Sequence, residues 1–161
     1  MLSVRVIPVL LYKPGGLYKG TRFGDHRYVG DALNAVRIFA QKQANEVVLL
    51  DIAATAEGRT IPVELVSKIS SESSMPLTVG GGIKDVEGAL NLLSAGAEKV
   101  TVNSHAVENP NIVSQIAALT GSQAVVASID VRRGPRGGEV FTHCGTRPTG
   151  RTPAEDRKSV V

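Results

Sequence analysis

Five short apolar segments alternate along the chain with stretches of helical periodicity, and this alternation restricts the fold more than any other feature. The apolar segments cover residues 4–11, 46–52, 77–79, 99–102 and 124–129. None alternates cleanly between apolar and polar residues, which favours strands buried on both faces. A repeated strand–helix order predicts a parallel sheet joined by right-handed crossovers.

Capping residues mark where the intervening helices begin and end. The opening residues are Asp31, Thr60 with Pro62, Asp85, and Asn109 with Pro110. The first helix is expected to extend to about Gln43, and Asn109-Pro110 has the pattern of an N-cap followed by a first-turn proline. Gly96 is predicted to close the third helix and Gly121 the fourth.

The segment 132–150 is rich in Gly and Arg, and residues 139–142 are candidates for an edge strand or hairpin. Thr152-Pro153-Ala154-Glu155 then forms a capping box that announces another helix, six residues before Val161. Two interpretations remain open, a frayed tail on a complete domain or a polypeptide that ends before its fold does. We prefer the second.

Composition excludes several classes of protein. Hydrophobic residues make up 42% of the 161 residues, enough for a core, and the net charge of +3 is small and scattered, so no nucleic-acid partner is expected. No segment approaches the roughly 20 apolar residues that span a bilayer, and no signal peptide is evident. Cys144 is the single cysteine, which excludes an internal disulfide and suits a reducing compartment. A soluble, cytoplasmic protein is expected.

Polar residues follow the predicted strands at the edge where β/α folds bind ligands, the carboxyl ends of the strands. These positions are Leu11, Asp51, Gly80-Gly81-Gly82, Asn103, Ser104 and Asp130. Two carboxylates, a glycine triplet and a small polar pair on one rim suit a phosphorylated ligand.

Each rim feature also has a purely structural interpretation. The glycines could form only a tight turn with positive φ, and the two aspartates could be loop anchors rather than acid/base groups. Lys19, in the loop 14–24, could reach a phosphate or simply be solvated. The three histidines share no metal-ligand spacing, and we interpret His26, His105 and His143 as surface or loop residues.

Charged residues also stand at the starts of strands. Arg5, Glu46 and Lys99 would lie at the bottom of a barrel, where apolar packing is the rule. They could turn to solvent, or they could form a salt-bridged ring that closes the barrel floor.

Four longer segments carry a resemblance to a known family. They are Leu49-Leu50-Asp51-Ile52, Pro76-Leu77-Thr78-Val79-Gly80-Gly81-Gly82-Ile83, Gly96-Ala97-Glu98-Lys99-Val100 with Asn103-Ser104, and Gly121-Ser122-Gln123-Ala124-Val125-Val126. From Met1 to about Gly150 the sequence resembles the cyclase subunit of imidazole glycerol phosphate synthase, a (β/α)8 barrel. The fold expected is α/β, a partial TIM (β/α)8 barrel of about five parallel strands with four helices plus a β-hairpin. It forms a single domain over residues 1–161 and ends at the start of a fifth helix.

The resemblance implies a lyase of histidine biosynthesis that works with a glutaminase subunit in a heterodimer. Ammonia from the glutaminase would pass through the barrel and attack a bisphosphorylated ribulosyl aminoimidazole carboxamide. The products would be imidazole glycerol phosphate and an aminoimidazole ribonucleotide. No cofactor or metal is implied, and neither a nucleic acid nor a membrane is an expected partner.

The family's functional residues match positions of this sequence. Asp130 matches one of two catalytic carboxylates, and Asp51 a rim position near the substrate. The phosphate-binding end corresponds to Lys19, Gly81, Gly82, Asn103 and Ser104. The ammonia gate corresponds to Arg5, Glu46 and Lys99.

Leu11 departs from the family, because the other catalytic aspartate falls there and leucine transfers no proton. Residues 7–16 and 145–149 look more like a paralogous branch associated with acetamidino groups on surface-polysaccharide sugars. That branch works with a glutaminase and a sugar amidotransferase. Three hypotheses therefore stand: a cyclase subunit, an ammonia-channelling barrel without cyclase activity, and an inactive truncated fragment that lacks the last three strands.

Overall fold

The computed structural model describes residues 4–21, 24–134 and 137–159. Its strands are β1 (Val9–Lys13), β2 (Gly16–Thr21), β3 (Gly24–Gly30), β4 (Val47–Asp51), β5 (Leu77–Gly80), β6 (Lys99–Val102), β7 (Val125–Ala127), β8 (Asp130–Gly134), β9 (Gly137–Thr142) and β10 (Arg147–Pro148). Its helices are α1 (Ala32–Gln41), α2 (Val63–Glu72), α3 (Val86–Ser94), α4 (Ser104–Glu108), α5 (Asn111–Thr120) and α6 (Pro153–Ser159), with a 3-10 turn at Ser122–Ala124.

Strands β1, β4, β5, β6 and β7 pair in parallel in that order. Each of the five contains part of one predicted apolar segment, and helices connect β4 through β7. The predicted class is confirmed: an α/β fold with the strand–helix order of a partial (β/α)8 barrel. The carboxyl ends of the five strands lie at one edge of the sheet, which places the rim residues together.

The first predicted strand begins later than expected. Residues 4–8 are outside any strand, and β1 starts at Val9. Its neighbour β4 starts at Val47, so little backbone lies beside residues 4–8 to pair with, and Pro8 has no N–H to donate. One bond extends the pairing, from the backbone N–H of Val48 to the carbonyl of Pro8 at 2.9 Å.

Two sets of antiparallel strands accompany the parallel strands. Strands β2 and β3 form a hairpin on β1, so the prediction of a loop over residues 14–24 was wrong. Leu17 is buried there, and the Tyr18 and Tyr28 rings meet edge to face at 5.8 Å, which stabilises the hairpin. Strands β8, β9 and β10 form a separate three-stranded sheet, and the strand predicted at residues 139–142 lies in β9.

Branched aliphatic side chains form the core between the sheet and its helices. Leu49, Val79 and Val100 on the strands are fully buried against Ile69 and Leu92 on the helices. Burial of each such side chain contributes about 1.5–3 kcal/mol. This layer holds the strand ends in place beneath the rim.

Capping confirms most of the predicted helix boundaries. Asp31 Oδ1 accepts from the N–H of Asn34, and Gly96 has φ 104° just beyond α3. The capping box also forms, because Glu155 Oε2 accepts from the N–H of Thr152 at 2.8 Å. The prediction for Asn109 was wrong, since its side chain makes no capping hydrogen bond. Any continuation of α6 past Ser159 lies outside the described residues.

Substitution of Asp85 measures how much one helix cap contributes to the free energy of unfolding. Asp85 Oδ1 accepts from the N–H of Gly88 at 2.7 Å at the start of α3. Asp85→Ala is expected to lower the free energy of unfolding by about 1 kcal/mol, because that N–H loses its acceptor. Urea unfolding followed by circular dichroism measures the change. Glu87→Gln, an exposed change in the same turn, is the control, and an equal effect of both variants would contradict the capping role.

Candidate functional site

A cavity of about 510 Å³ opens at the carboxyl ends of the parallel strands. The predicted rim residues that line it are Leu11, Asp51, Gly81, Gly82, Asn103, Ser104 and Asp130. Lys19 is not among the described lining residues; it is exposed on β2, opposite Arg27 on β3. Gly80 is also not among them, and Lys19 is held away because a residue of a paired strand cannot swing as a loop residue can.

The glycine turn after β5 is held tightly by the segment before α2. Gly81 and Gly82 have φ of 123° and 68°, and a Cβ at Gly82 would overlap the carbonyl oxygen of Arg59. Ile61 donates its N–H to the carbonyl of Gly81 at 3.1 Å, and Thr60 Oγ1 donates to the carbonyl of Gly82 at 3.3 Å. Within the described residues the N–H of Gly82 has no acceptor. The turn thus needs glycine for its shape and keeps an N–H available for an anion.

The carboxylate of Asp51 is fully used in hydrogen bonds and an ion pair within the protein. Its Oδ1 accepts from the N–H groups of Ala53 and Ala54 at 3.0 and 3.1 Å. The Arg59 guanidinium donates to both carboxylate oxygens, at 2.5 and 3.3 Å, and this hydrogen bonding raises the pKa of Arg59. The Asp51 side chain has 0% exposure. Its observed role is therefore to anchor the loop that shapes the glycine turn.

Asp130 has a different environment on the same rim. Burial raises the pKa of its carboxyl, and a hydrogen bond from Asn103 only partly opposes this. Among the described residues no basic side chain forms an ion pair with Asp130, whereas Arg59 forms one with Asp51. A half-buried carboxyl with a raised pKa at the end of a barrel strand is suited to proton transfer.

Asn103 and Ser104 stand beside Asp130 at the end of β6. The amide nitrogen of Asn103 lies 3.5 Å from Ser128 Oγ, whereas its buried Oδ1 has no hydrogen-bond partner among the described residues. Ser104 Oγ accepts from the N–H of His143 at 2.8 Å, which leaves its hydroxyl proton available. Buried polar atoms normally have partners, so this corner of the cavity is arranged for a polar ligand.

All three histidines line the cavity, a position that their interpretation as surface or loop residues did not include. His26 lies on β3, His105 on α4, and His143 in the turn after β9. His143 and Cys144 have φ of 51° and 57°, a left-handed conformation that turns both side chains to the cavity. The described residues contain no cluster of His, Cys, Asp and Glu that could hold a metal ion.

The wall formed by β1 is apolar. Leu11 pairs with Leu50 on β4, and both line the cavity together with Ile52. Cys144 donates weakly to the carbonyl of Ile52 at 3.7 Å, and burial raises the pKa of its thiol, with Asp130 acting in the same direction. Leu11 therefore lies on the rim of the cavity but cannot transfer a proton.

At the opposite ends of the strands, Arg5, Glu46 and Lys99 meet as one cluster. Buried Glu46 accepts from Arg5 at 3.1 Å, from Lys99 at 2.9 Å and from Thr78 Oγ1 at 2.6 Å. Burial opposes ionisation of Glu46, but the hydrogen bonds from Thr78 and Lys99 and the nearby positive charges lower its pKa overall. Of the two arrangements considered, the salt-bridged one is observed.

This cluster predicts a specific pH dependence of stability. Because the pKa of Glu46 is lowered below its ordinary 4.5, its ionised form stabilises the fold above that pH, and the stabilisation is lost as the pH falls through the folded pKa. Glu46→Gln is expected to cost about 2 kcal/mol at pH 7 and little at pH 3. Urea unfolding at both pH values measures this. Glu98→Gln, at an exposed partner of Lys99, is the control, and a pH-independent cost of Glu46→Gln would contradict the interpretation.

The sequence of this chain also matches a known protein family. The model of the family described as "Histidine biosynthesis protein" matches residues 5–161, nearly the whole chain. The chain belongs to this family.

Curated members of the family are similar over most of the chain. A putative imidazole glycerol phosphate synthase subunit HisF of Leptospira interrogans is 45% identical over 163 residues, covering 100% of this chain and 64% of the relative. The subunit HisF of Dictyoglomus thermophilum is 48% identical over 93% of this chain and 60% of its own length. A putative subunit hisF2 of Pseudomonas aeruginosa is 44% identical over 96% and 62%. The chain thus spans less than two thirds of these relatives.

Sequence reasoning missed Arg59 and the turn at His143 and Cys144. Arg59 follows Asp51 by eight residues, within an irregular loop, so no periodicity connected the two. His143 and Cys144 come from beyond the fifth parallel strand and reach the rim through the β8–β9 hairpin. The available signal was Thr142-His143-Cys144-Gly145, a short polar turn ending in glycine, which indicates a turn but not its destination.

Proposed function

We propose that the chain contributes the phosphate-binding and proton-transfer rim of a cyclase subunit of imidazole glycerol phosphate synthase type, a lyase of histidine biosynthesis. The observation that carries this is the grouping of Asp130, Asn103, Ser104 and the Gly81-Gly82 turn in one cavity. The free N–H of Gly82 and the hydroxyl of Ser104 suit a phosphate, the unpartnered oxygen of Asn103 suits a sugar hydroxyl, and Asp130 suits a proton donor or acceptor.

The cluster at the opposite strand ends supports a glutaminase as partner. Asp51 lies four positions after Val47 on β4, so about 13 Å of strand separates the Glu46 cluster from the cavity. Arg5, Glu46 and Lys99 would form part of a gate through which ammonia enters. The printed names of the relatives, subunits of a synthase, are consistent with an assembly of this kind, which we propose to be a cytoplasmic heterodimer.

Leu11 favours a second candidate, an ammonia-channelling barrel that serves amidination of surface-polysaccharide sugars. In that case the gate cluster acts but cyclisation does not, because the β1 wall offers no acid. A sugar amidotransferase would then be a further partner.

Two assays on one preparation separate the candidates. Because the relatives are longer, the protein tested is the longest natural polypeptide that contains these 161 residues. Ammonia-dependent consumption of the ribulosyl aminoimidazole carboxamide substrate, followed by absorbance, supports the cyclase. Activation of the glutaminase without such consumption supports the channelling barrel. If the protein shows neither activity, both proposals are contradicted.

A further inference from the structure

The apolar wall at Leu11 is bordered by the β2–β3 hairpin. Leu11 lies opposite Tyr18 in the pairing of β1 with β2, so the hairpin continues the cavity wall directly. Two hairpin residues, Gly20 and His26, line the cavity together with Leu11 and Asp130. A titratable ring on β3 therefore lines the same cavity as the position that has no acid.

A hydrogen bond fixes the tautomer of this ring. Lys13 Nζ lies 2.8 Å from His26 Nδ1. A lysine ammonium has three N–H donors and no acceptor, so Nδ1 must be the acceptor and a neutral imidazole carries its proton on Nε2. Within the described residues Nε2 makes no hydrogen bond. The N–H that remains is free to donate to a ligand.

Gly20 provides the space in which the ring lies. A Cβ at Gly20 would be 2.9 Å from Cδ2 and 3.2 Å from Nε2 of His26. The imidazole thus lies close against Gly20 of β2 and is also hydrogen-bonded to Lys13. Packing and hydrogen bonding together hold its Nε2 in place.

We propose that Lys13 and His26 form a two-residue proton relay, which acts as the general acid that Leu11 cannot supply. This inference rests on the proposed cyclase function, in which ammonia adds to the ketone of the ribulosyl group and gives a carbinolamine. The ring stays neutral throughout, because it gives one proton and receives another.

The relay balances in three transfers. The Nε2 proton passes to the carbinolamine hydroxyl while the carbon–oxygen bond breaks, so water leaves and the nitrogen lone pair forms a C=N bond. Nδ1 takes a proton from the Lys13 ammonium, which becomes a neutral amine. The iminium then gives an N–H proton to ionised Asp130, which releases it to solvent. A proton from solvent returns to Nε2 as Nδ1 gives its proton back to Lys13.

Kinetics of the longest natural polypeptide that contains these residues test the relay. His26→Gln and Lys13→Met are each expected to lower kcat by about 100-fold, with KM changed less than about threefold. The double variant should lose no more than either single one, since a relay fails as a unit. Arg27→Gln, an exposed change on the same strand, and Lys42→Met, at the end of α1, are controls expected to keep kcat within about twofold.

Chemical rescue and the tautomer distinguish proton transfer from a structural role. Free imidazole should restore activity to His26→Ala, which a purely structural loss does not permit. Nitrogen-15 spectra of the histidines should show His26 protonated at Nε2, and a ring protonated at Nδ1 would overturn the relay. Turnover that His26→Gln leaves unchanged would overturn the relay alone. No turnover by the wild type would contradict the cyclase proposal and the relay with it.

Discussion

Asp51→Ala is expected to lower the free energy of unfolding by about 3 kcal/mol. The Asp51 side chain is completely buried and accepts from two backbone N–H groups and from Arg59. Its loss leaves the two N–H groups without an acceptor and leaves the guanidinium, which is 30% exposed, with Glu57 as its remaining counter-charge. Partial access of Arg59 to water keeps the cost at the lower end of what loss of a buried ion pair produces. Urea unfolding at pH 7 measures the change.

Two further variants separate the contribution of the hydrogen bonds of Asp51 from that of an ordinary exposed ion pair. Asp51→Asn keeps an oxygen for Ala53 and Ala54 and should cost less than Asp51→Ala. Glu72→Ala removes the exposed ion pair with Arg37 and should cost below about 1 kcal/mol. If Asp51→Ala costs no more than Glu72→Ala, the anchoring role assigned to Asp51 is wrong.

Under the proposed cyclase function, Asp130→Asn in the longest natural polypeptide is expected to reduce ammonia-dependent turnover by about 100- to 10,000-fold while making the fold slightly more stable. Burial raises the pKa of Asp130 above its ordinary 3.8, so the ionised carboxylate destabilises the folded state. The native chain therefore loses stability as the pH rises from 3.8 through the folded pKa. Asparagine removes this penalty, and the gain at pH 7 stays below about 1 kcal/mol because the site is partly open to water.

The comparison of pH 7 with pH 3 makes this prediction specific. At pH 3 Asp130 is protonated in both states, so the stabilisation by Asp130→Asn should disappear. Asp25→Asn, an exposed change in the β2–β3 hairpin, should affect neither turnover nor stability by more than a small factor. Asp130→Asn with unchanged turnover, or with lower stability at pH 7, would contradict the role proposed for this carboxyl.

The two aspartates also show how far sequence reasoning reaches. Both were predicted on the rim from one argument, that an apolar run ends in Asp at the carboxyl end of a strand, and both line the cavity. The argument could not separate their environments. Arg59 reaches Asp51 across an irregular loop, whereas Asp130 begins β8 beside Asn103 and Ser128, and neither arrangement has a periodic signature.

The hairpin after β1 marks the other boundary of prediction. Its glycines suggested a loop, but Leu17 and the Tyr18–Tyr28 contact give β2 and β3 enough packing to pair on β1. This pairing turns Lys19 away from the cavity and His26 toward it. Side-chain direction in a strand alternates by residue, so the register of the hairpin, not its composition, decides which residue faces a ligand.

The sequence by itself determined the order of the five parallel strands and of the longer helices between them, because hydrophobic periodicity, caps and glycine ends act over a few residues. It also determined which residues stand at the strand ends, including Asp130, Asn103, Ser104 and the apolar exception Leu11. Only the tertiary structure decided which of these groups already have hydrogen-bond partners within the protein and which can still bind a ligand. A hydrogen-bond partner is chosen by distance in space, and Arg59, His143 and Lys13 reach their partners from segments that no local pattern connects.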